Sequence, residues 1–444
     1  MNRITRVISV FITSGAILLS ACSTNLGPET LPSTTATETE IETEPVITTE
    51  EIPEHSEPFS QAIIIGSIVE SNGALSIEGT KLVNSMGDEV VLKGISTYGI
   101  EECGDFFTSE VVKTLAEDWG CDVLRIAITG NSESEDGYIA DPDQYFDKVC
   151  KLVDMCVSQG IYVIVDWNVQ YGEDMEVTNE AAVDFFSRLS AIYTDTPNLI
   201  YELNTDPAII TEEESADSDD EDADTDDEDT DDEGEDEDEE SDDEEESDEE
   251  EEEILDPETE WDEYIKPLAE EVIDAIRENS ESSVIIIGAP GYGLDIDVAA
   301  WYPLDYDNIA YGCRFYSGNN KKELREKIIE ALDYEACVFI TEWGLSDREG
   351  MGGIFIEESV EWIDFIDEQG ISWCNYAIGT ERIDDNNALQ LFNDRYTDEQ
   401  KYFGHWPDGL LSYSGSFARE QFLKVDEIPD DDIEETETTE TSEE

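Results

Sequence analysis

The sequence predicts an α/β protein folded as a (β/α)8 TIM barrel, because eight apolar runs alternate with amphipathic stretches over some 340 residues. Each run is short and continuous, which is typical of a strand buried on both faces of a parallel sheet. The alternative is an open doubly wound sheet, but no Gly-rich phosphate loop follows the first run. The predicted strands cover residues 90–95, 123–128, 162–167, 199–203, 284–287, 309–315, 338–341 and 371–378.

A β-hairpin is predicted in front of the barrel. It pairs the segments that begin at Ala74 and Leu82, and we place its turn at Met86-Gly87-Asp88. The clearest helix begins at Asp141-Pro142, because Asp caps a helix and Pro suits its first position, and it ends at Gly160. The other predicted helices cover residues 110–119, 180–193, 261–278, 321–332 and 357–369.

The N-terminal segment has the features of a bacterial export signal. Arg3 and Arg6 flank the start of an apolar stretch over residues 7–19, and Leu19-Ser-Ala-Cys22 resembles a lipobox. We therefore expect residues 1–22 to be a lipoprotein signal peptide and Cys22 to be lipidated, so that the exported protein is anchored to a bacterial membrane at the cell surface. Residues 23–60 are rich in Thr, Glu, Ser and Pro, which predicts a disordered stalk.

The net charge limits the partners. A formal charge of −94 disfavours nucleic acid, and it also disfavours close contact with an anionic membrane or an acidic glycan. Residues 212–253 contain 33 acidic residues in 42 and no Lys or Arg, which predicts a disordered insertion over 211–255 inside a barrel domain spanning 61–425. An acidic disordered tail is predicted over 426–444. We interpret the insertion as a tolerated low-complexity expansion. Its alternative roles are to capture divalent cations or a basic partner, or to act as a lid.

The sequence predicts no metal site. Seven cysteines besides Cys22 form no CxxC pair, and the chain has two His. Zinc sites need clusters of these residues at short spacings, so we expect none. An exported protein can form disulfides, but the cysteine spacing does not assign one.

The chemistry of a parallel barrel lies at the carboxyl ends of its strands. The seventh predicted strand runs into Thr341-Glu342-Trp343, and the fourth is followed by Thr205-Asp206-Pro207. Two carboxylates on opposite sides of one barrel mouth are what glycoside hydrolysis needs, one as the acid and the other as the nucleophile. The alternative for Glu342 is a structural carboxylate satisfied by a neighbouring arginine.

Five motifs along the predicted barrel carry a family resemblance. They are Leu92-Lys-Gly-Ile-Ser96, Gly160-Ile-Tyr-Val-Ile-Val-Asp-Trp167, Ile265-Lys-Pro-Leu-Ala-Glu-Glu-Val-Ile273, Ile340-Thr-Glu-Trp-Gly344 and Leu411-Ser-Tyr-Ser-Gly-Ser-Phe417. With them the sequence resembles glycoside hydrolase family 5, in particular its bacterial endoglucanases (cellulases). The resemblance implies a (β/α)8 barrel that hydrolyses β-linked glucans with retention. It also implies that the partner is a β-linked polysaccharide or oligosaccharide and that no cofactor is needed.

Four site residues carry over from the family to this sequence. The resemblance makes Glu342 the nucleophile and Asp206 the acid/base. Arg125 matches the arginine that hydrogen-bonds the nucleophile, and Tyr316 matches the tyrosine beside it. The support of the nucleophile is therefore expected to be intact.

Other site positions depart from the family pattern. Three positions that are histidines in the family are Tyr98, Asn168 and Arg314 here. Two positions that are substrate-stacking tryptophans in the family are Tyr292 and Tyr376. A further tryptophan position near Glu102 is also lost. The substrate side of the mouth is therefore expected to differ from that of a typical member.

The acid/base side is altered as well, since the family's Asn-Glu-Pro reads Thr205-Asp206-Pro207. Asp withdraws the acid by one methylene, and a misplacement of about 1 Å costs on the order of 10²-fold in rate. Thr205 lacks the amide that in the family binds a sugar hydroxyl beside the attacked carbon. Arg314 adds a positive charge: paired with Glu342 it weakens the nucleophile, and paired with Asp206 it keeps the acid ionised.

We therefore predict a cellulase-like protein that is directed at β-linked glucans with weak or no hydrolysis, and that acts in glycan binding or as a scaffold. Tyr292, Tyr376 and Trp373 retain rings for sugar stacking, although Trp373 above all fits ordinary barrel packing. The alternative is an active retaining β-glycosidase of the endoglucanase type, with Asp206 as acid/base and Glu342 as nucleophile.

Overall fold

A computed structural model describes residues 66–130, 137–169, 175–205, 209–210, 253–379, 388–393, 395 and 397–424. The predicted signal peptide with Cys22, the stalk and the acidic tail lie outside these residues, and so does Asp206. Most of the predicted insertion, residues 211–252, lies outside them too.

The predicted N-terminal hairpin is confirmed, but its turn was misplaced. Strand β1 (Ser76–Glu78) pairs antiparallel with β2 (Lys81–Val83), so that Gly79-Thr80 forms the two-residue turn. Gly79 has a φ of 60°, a left-handed conformation that glycine adopts without strain. Met86-Gly87-Asp88 turns the chain a second time and brings Glu89 back to a bridge with Val83.

The predicted (β/α)8 barrel is confirmed. Eight parallel strands close on themselves in the order β3, β4, β5, β6, β9, β10, β11, β12 and back to β3, while β7 and β8 lie outside the barrel. The first barrel strand begins three residues later than predicted, at Lys93, because residues 90–92 lead from the hairpin into the barrel. After the hairpin the strands are β3 (Lys93–Thr97), β4 (Val123–Thr129), β5 (Tyr162–Val169), β6 (Leu199–Thr205), β7 (Ile209–Ile210), β8 (Glu253–Ile254), β9 (Ile285–Gly288), β10 (Ile309–Tyr316), β11 (Val338–Gly344) and β12 (Ser372–Ile378).

Helices surround the barrel, and none of those described is both long and apolar enough to cross a membrane. The six predicted helices are present, with ends shifted by a few residues. The helical segments are Ile68–Asn72, Ile100–Cys103, Ser109–Thr114 with Leu115–Trp119, Pro142–Gln159, Met175–Ile192, Pro257–Thr259 with Glu260–Ile265 and Lys266–Arg277, the turn Pro290–Gly293, Ile296–Trp301, Lys322–Asp333, Ile356–Gln369, Asp398–Lys401 and Tyr413–Phe422.

The hairpin closes the lower end of the barrel, where the strands begin. Leu75 and Leu82 belong to the same buried apolar cluster as Ile164 and Ile286 of the barrel strands. The amide of Ile77 donates to the side chain of Asn308, which directly precedes β10, at 2.9 Å. The lower barrel interior is therefore dry and apolar, and the polar side chains of the interior are left to the upper end.

The two ends of the acidic insertion meet directly above β6. Ile209 pairs with Ile254, and Ile210 pairs with Glu253, as a two-residue antiparallel ladder. Residues 253 and 254, which were predicted to belong to the insertion, are thus part of the folded domain. Because the chain leaves and returns at one point, the barrel does not need the inserted residues to connect β6 with the next helix.

This pairing predicts that the insertion can be removed. Replacing residues 211–252 by Asn-Gly joins β7 to β8 through a two-residue hairpin turn. Because a shorter loop loses less entropy on closure, we expect the free energy of unfolding to stay equal or to rise by about 2–3 kcal/mol. Urea unfolding of both proteins measures this. A Pro-Pro replacement, which does not form such a turn, should be the less stable of the two variants, and a clear loss of stability in the Asn-Gly variant would contradict the prediction.

Candidate active site

Glu342 lies inside the upper end of the barrel, near the carboxyl end of β11. The run Val338–Gly344 is buried throughout, and Glu342 itself is 9% exposed. Nη1 of Arg125 donates to Oε1 of Glu342 at 2.9 Å, and the hydroxyl of Tyr316 donates to Oε2 at 2.9 Å. Each carboxylate oxygen thus has its own donor, which fixes the plane of the carboxylate. Arg125 and Tyr316 stand in the contacts that the resemblance predicted for them.

Arg125 is fully buried on β4 and joins three carboxylates. Its Nε donates to Glu202 at 2.6 Å, its Nη2 to Asp166 at 2.7 Å, and its Nη1 to Glu342 and to Ser96 Oγ at 3.0 Å. We call these five residues the Arg125 cluster. A buried guanidinium is tolerated only where its donors are satisfied, and here the four carboxylate and hydroxyl groups do so. Proximity to the three carboxylates raises the already high pKa of Arg125, although burial opposes this.

Asp166 is a buried carboxyl with a raised pKa. Burial is the largest influence and raises its pKa to about 8; Arg125 lowers the pKa, and the neighbouring Glu202 raises it. Asn204 on β6 donates to Oδ1 of Asp166 at 2.7 Å and also to Glu202. Both carboxyl oxygens of Asp166 thus accept hydrogen bonds in the buried upper barrel.

Arg314 lies beside Glu342 on the adjacent strand. The two residues are partners in the register of β10 and β11, and Arg314 is 7% exposed. Burial alone raises the pKa of Glu342, but the positive charges of Arg314 and Arg125 and the hydrogen bond from Tyr316 outweigh it and hold the pKa below its usual value. Of the two effects expected of Arg314, the one on Glu342 is therefore seen. Its effect on Asp206 concerns a residue outside the described part of the chain.

Tyrosines line the mouth between β10 and β3. The ring of Tyr376 on β12 lies 6.4 Å from that of Tyr98 and 6.4 Å from that of Tyr316, measured between centroids. Trp373, by contrast, is 1% exposed and packs outside the barrel, 5.5 Å from Trp343 and against the C-terminal helix. Tyr98 and Tyr376 are thus the rings available to a ligand here, and Trp373 is a core residue.

The acid/base side is described in part. Thr205 ends β6 at the mouth, where its backbone pairs with Val169. Asn168, one residue before the end of β5, is half-buried, and its Oδ1 has no hydrogen-bond partner among the described residues. The backbone thus brings positions 168 and 205 to neighbouring strand ends, as predicted.

Tyr292 lies in the turn that follows β9, and one face of its half-buried ring is covered. The guanidinium carbon of Arg348, from the segment after β11, lies 3.8 Å from the centroid of this ring. Tyr292 was predicted to stack on substrate, and an arginine occupies one face of that ring. Arg348 was not predicted from the sequence, since no local pattern singles it out.

Sequence reasoning also missed the roles of Asp166, Glu202 and Asn204. The signal that finds them is a charged or amide side chain inside a strand that is otherwise buried and apolar. Both Val165-Asp166-Trp167 and Tyr201-Glu202-Leu203 have that form. Burial of an acid in such a strand requires a cation, and Arg125 is the cation that β4 supplies.

Known proteins share this fold and much of this sequence. The family model described as Cellulase (glycosyl hydrolase family 5) matches residues 83–219 and 244–382. Endoglucanase A of Evansella cellulosilytica is 34% identical over 367 residues, which cover 83% of this chain and 63% of that protein. Endoglucanase 5 of Pectobacterium carotovorum subsp. carotovorum is 31% identical over 353 residues, which cover 80% and 58%. The chain thus spans about three fifths of the length of these relatives.

Solved structures agree with these matches. The catalytic domain of an endoglucanase from Thermobifida fusca is 25% identical with a TM-score of 0.62, covering 81% of this chain and 100% of that one. A structure from Cytophaga hutchinsonii is 29% identical with a TM-score of 0.63, covering 80% and 96%. The fold and the matches define a TIM-barrel glycoside hydrolase. Within that class the chain belongs to glycosyl hydrolase family 5, the family of the cellulases, which confirms the resemblance read from the motifs.

The proton on Asp166 predicts a pH-dependent stability. Its pKa is about 8 in the folded protein against an ordinary value of 3.8, so the folded state binds one more proton than the unfolded state between these values. Stability from this group is therefore full below about pH 4 and declines as the pH rises towards about 8. Asp166→Asn removes the titrating group, so it should remove a slope of about 1.4 kcal/mol per pH unit from the unfolding free energy. Because the new amide meets other N–H donors, the variant is also less stable at every pH.

Urea unfolding at pH 5, 6 and 7 measures this slope. The difference in unfolding free energy between the wild type and Asp166→Asn should shrink steadily as the pH rises. The exposed Asp333 supplies the control, because Asp333→Asn should run parallel to the wild type. Parallel curves for Asp166→Asn as well would show that Asp166 is ionised in the folded protein.

Proposed function

We propose that this family 5 barrel binds β-linked glucans at its mouth and hydrolyses them weakly or not at all. The observation that carries this proposal is the position of Arg314, a buried cation in register with Glu342. The matched relatives are named endoglucanases, and a variant of the Thermobifida fusca catalytic domain has been solved with cellotetraose. These names supply the ligand class, and Arg314 supplies the reason to separate binding from turnover.

A buried guanidinium opposes the chemistry of glycoside hydrolysis in two ways. The transition state resembles an oxocarbenium ion, so positive charge grows on the sugar beside the nucleophile. Arg314 repels that charge, and it also lowers the pKa of Glu342, which makes the carboxylate a weaker nucleophile. Binding of a neutral sugar in its ground state does not carry this penalty. The arrangement therefore favours a bound glucan over its transition state.

The second candidate function is active, retaining hydrolysis. The contacts of Glu342 with Arg125 and Tyr316 favour it, because they hold the carboxylate ready for attack. In this case Asp206 is the acid/base and Glu342 the nucleophile, with the two carboxyl groups roughly 5–5.5 Å apart.

The location of the protein belongs to the same proposal. Lipidation at Cys22 and a stalk over residues 23–60 would hold the barrel at a cell surface, where polysaccharide is met. In that setting a barrel that binds without cleaving keeps the cell at its polysaccharide. Metabolic labelling with a palmitate analogue tests the anchor, and Cys22→Ala should abolish the label.

Restoring the family residues tests the catalytic part of the proposal. The triple variant Thr205→Asn, Asp206→Glu and Arg314→His returns the acid, the amide and a neutral ring. We expect its turnover of soluble β-glucan to exceed that of the wild type by about 10²-fold or more, because the acid alone is worth on the order of 10²-fold. Reducing-sugar release measures the turnover.

The matched control adds Glu342→Gln to the triple variant, and its activity should fall back to background. Wild-type turnover that equals the triple variant and disappears in Glu342→Gln would favour the second candidate. Affinity electrophoresis in a gel containing β-glucan measures binding separately, and retardation of the wild type is the expected result.

A further inference from the structure

Tyr292 is placed by a backbone conformation that the fold imposes. Gly291 and Tyr292 both have left-handed φ values, 63° and 62°, and a residue as large as tyrosine rarely adopts this conformation. The amide of Gly291 donates to the buried Glu260 at 3.0 Å, and the carboxylate of Asp295 fills the place of a Cβ at Gly291. Such strain persists only where the surroundings determine it, and it is typical of functional positions.

Arg348 lies flat against this ring. A distance of 3.8 Å from its guanidinium carbon to the ring centroid is well inside the limit of about 6 Å for cation–π contacts. It is also the separation of two stacked planar groups. The ring face that Arg348 covers is therefore filled at contact distance, and a sugar ring cannot lie on that face at the same time.

The contact joins two loops on one side of the barrel mouth. Tyr292 follows β9 and Arg348 follows β11, and these strands lie on the two sides of β10. The amide of Arg348 donates to Oδ1 of Asn319, in the loop after β10, at 2.8 Å, so Arg348 lies beside the carboxyl end of β10. That end carries Arg314 and Tyr316, the neighbours of Glu342. The contact thus closes the side of the mouth next to the nucleophile.

The opposite side of the mouth differs. Tyr98, which directly follows β3, and Tyr376, on β12, are half-buried. The Tyr376 ring lies 6.4 Å from the Tyr98 ring and 6.4 Å from the Tyr316 ring. One side of the mouth therefore presents aromatic rings, and the other presents a ring under a guanidinium.

We propose that Arg348 is a specificity-determining residue that closes the Tyr292 side of the mouth to sugar, so that the protein takes up the ends of β-glucan chains rather than their internal segments. This inference rests on the proposed function, since it needs a mouth that binds β-glucan. An internal segment must continue on both sides of Glu342, and Arg348 blocks one of them. The end of a glucan chain needs to bind only on the side of the mouth that Tyr98 and Tyr376 line.

A length series of cello-oligosaccharides tests the inference. Calorimetric titration compares the wild type with Arg348→Ala, Tyr292→Ala and the double variant, and thermal unfolding checks that each is folded. Wild-type affinity should stop rising at a short chain length. Arg348→Ala should bind the longer oligosaccharides about tenfold more tightly, as expected from one stacked ring. In the double variant this gain should vanish, while Tyr292→Ala alone should change the wild-type affinity less than twofold.

A second substitution controls for the change in net charge. Lys113 is an exposed cation on a helix of the outer ring, and Lys113→Ala removes the same charge as Arg348→Ala without touching the mouth. It should leave the affinity for every oligosaccharide unchanged. A gain in Lys113→Ala equal to that in Arg348→Ala would overturn the inference, because net charge would then explain both.

Three other results would overturn it. Arg348→Ala with unchanged or weaker binding of long oligosaccharides would show that the side is not closed by Arg348. A large loss in Tyr292→Ala alone would show that its ring already binds sugar. Tighter wild-type binding of an oligosaccharide that carries a uronic acid, lost in Arg348→Ala, would make Arg348 a recognition residue for acidic sugars.

The same titrations separate this inference from the proposed function. If no folded variant binds any β-glucan, the proposed function fails and this inference fails with it. If the variants bind β-glucan but the affinity does not depend on Arg348, only this inference fails.

Discussion

The upper half of the barrel depends on one buried cation. Arg125 contributes the guanidinium to which Asp166, Glu202 and Glu342 are all bonded, and the side chain has no exposure. Removing it would leave three acids in a closed, poorly solvated space, and a buried ion pair broken on one side costs about 3–5 kcal/mol. The lower half has no such constraint, since apolar side chains from the hairpin and the strands fill it. The barrel is thus divided into an apolar half that specifies the fold and a charged half that specifies the site.

A second arginine lies at the edge of this charged half. Glu202 and Glu342 each form an ion pair with Arg125. Arg314 adds its charge from the adjacent strand and, together with Arg125, holds the pKa of Glu342 below its usual value. Glycoside hydrolysis at this carboxylate would build positive charge on the sugar beside Glu342 and would require a proton for the leaving oxygen. The proposed difference between binding and turnover rests on this requirement, because the charge of Arg314 opposes a positive transition state and does not oppose a neutral bound sugar.

The sequence was sufficient for the barrel and for part of the site. Eight strands and six helices follow from local patterns, because burial on both faces requires continuous apolar runs such as Val338–Ile340 and because helices repeat their apolar positions. The turn of the hairpin was misplaced because Gly79-Thr80 and Met86-Gly87-Asp88 both carry turn residues, and only pairing decides between them. The effect of Arg314 depends on strand register, and the contact of Arg348 with Tyr292 depends on two loops far apart in sequence. No local sequence pattern predicts either of these interactions.

The contacts among Glu342, Arg125 and Tyr316 do not by themselves indicate catalysis, because burial also requires them. Glu342, Arg125 and Tyr316 are held by one another, and each would leave an unsatisfied buried group if a partner were lost. Their contacts are therefore required by the folded state whether or not the protein turns over a substrate. Arg314 is not a member of the Arg125 cluster, and its charge acts on Glu342 from the adjacent strand. Under the proposed function, this charge is what separates glycan binding from glycan cleavage.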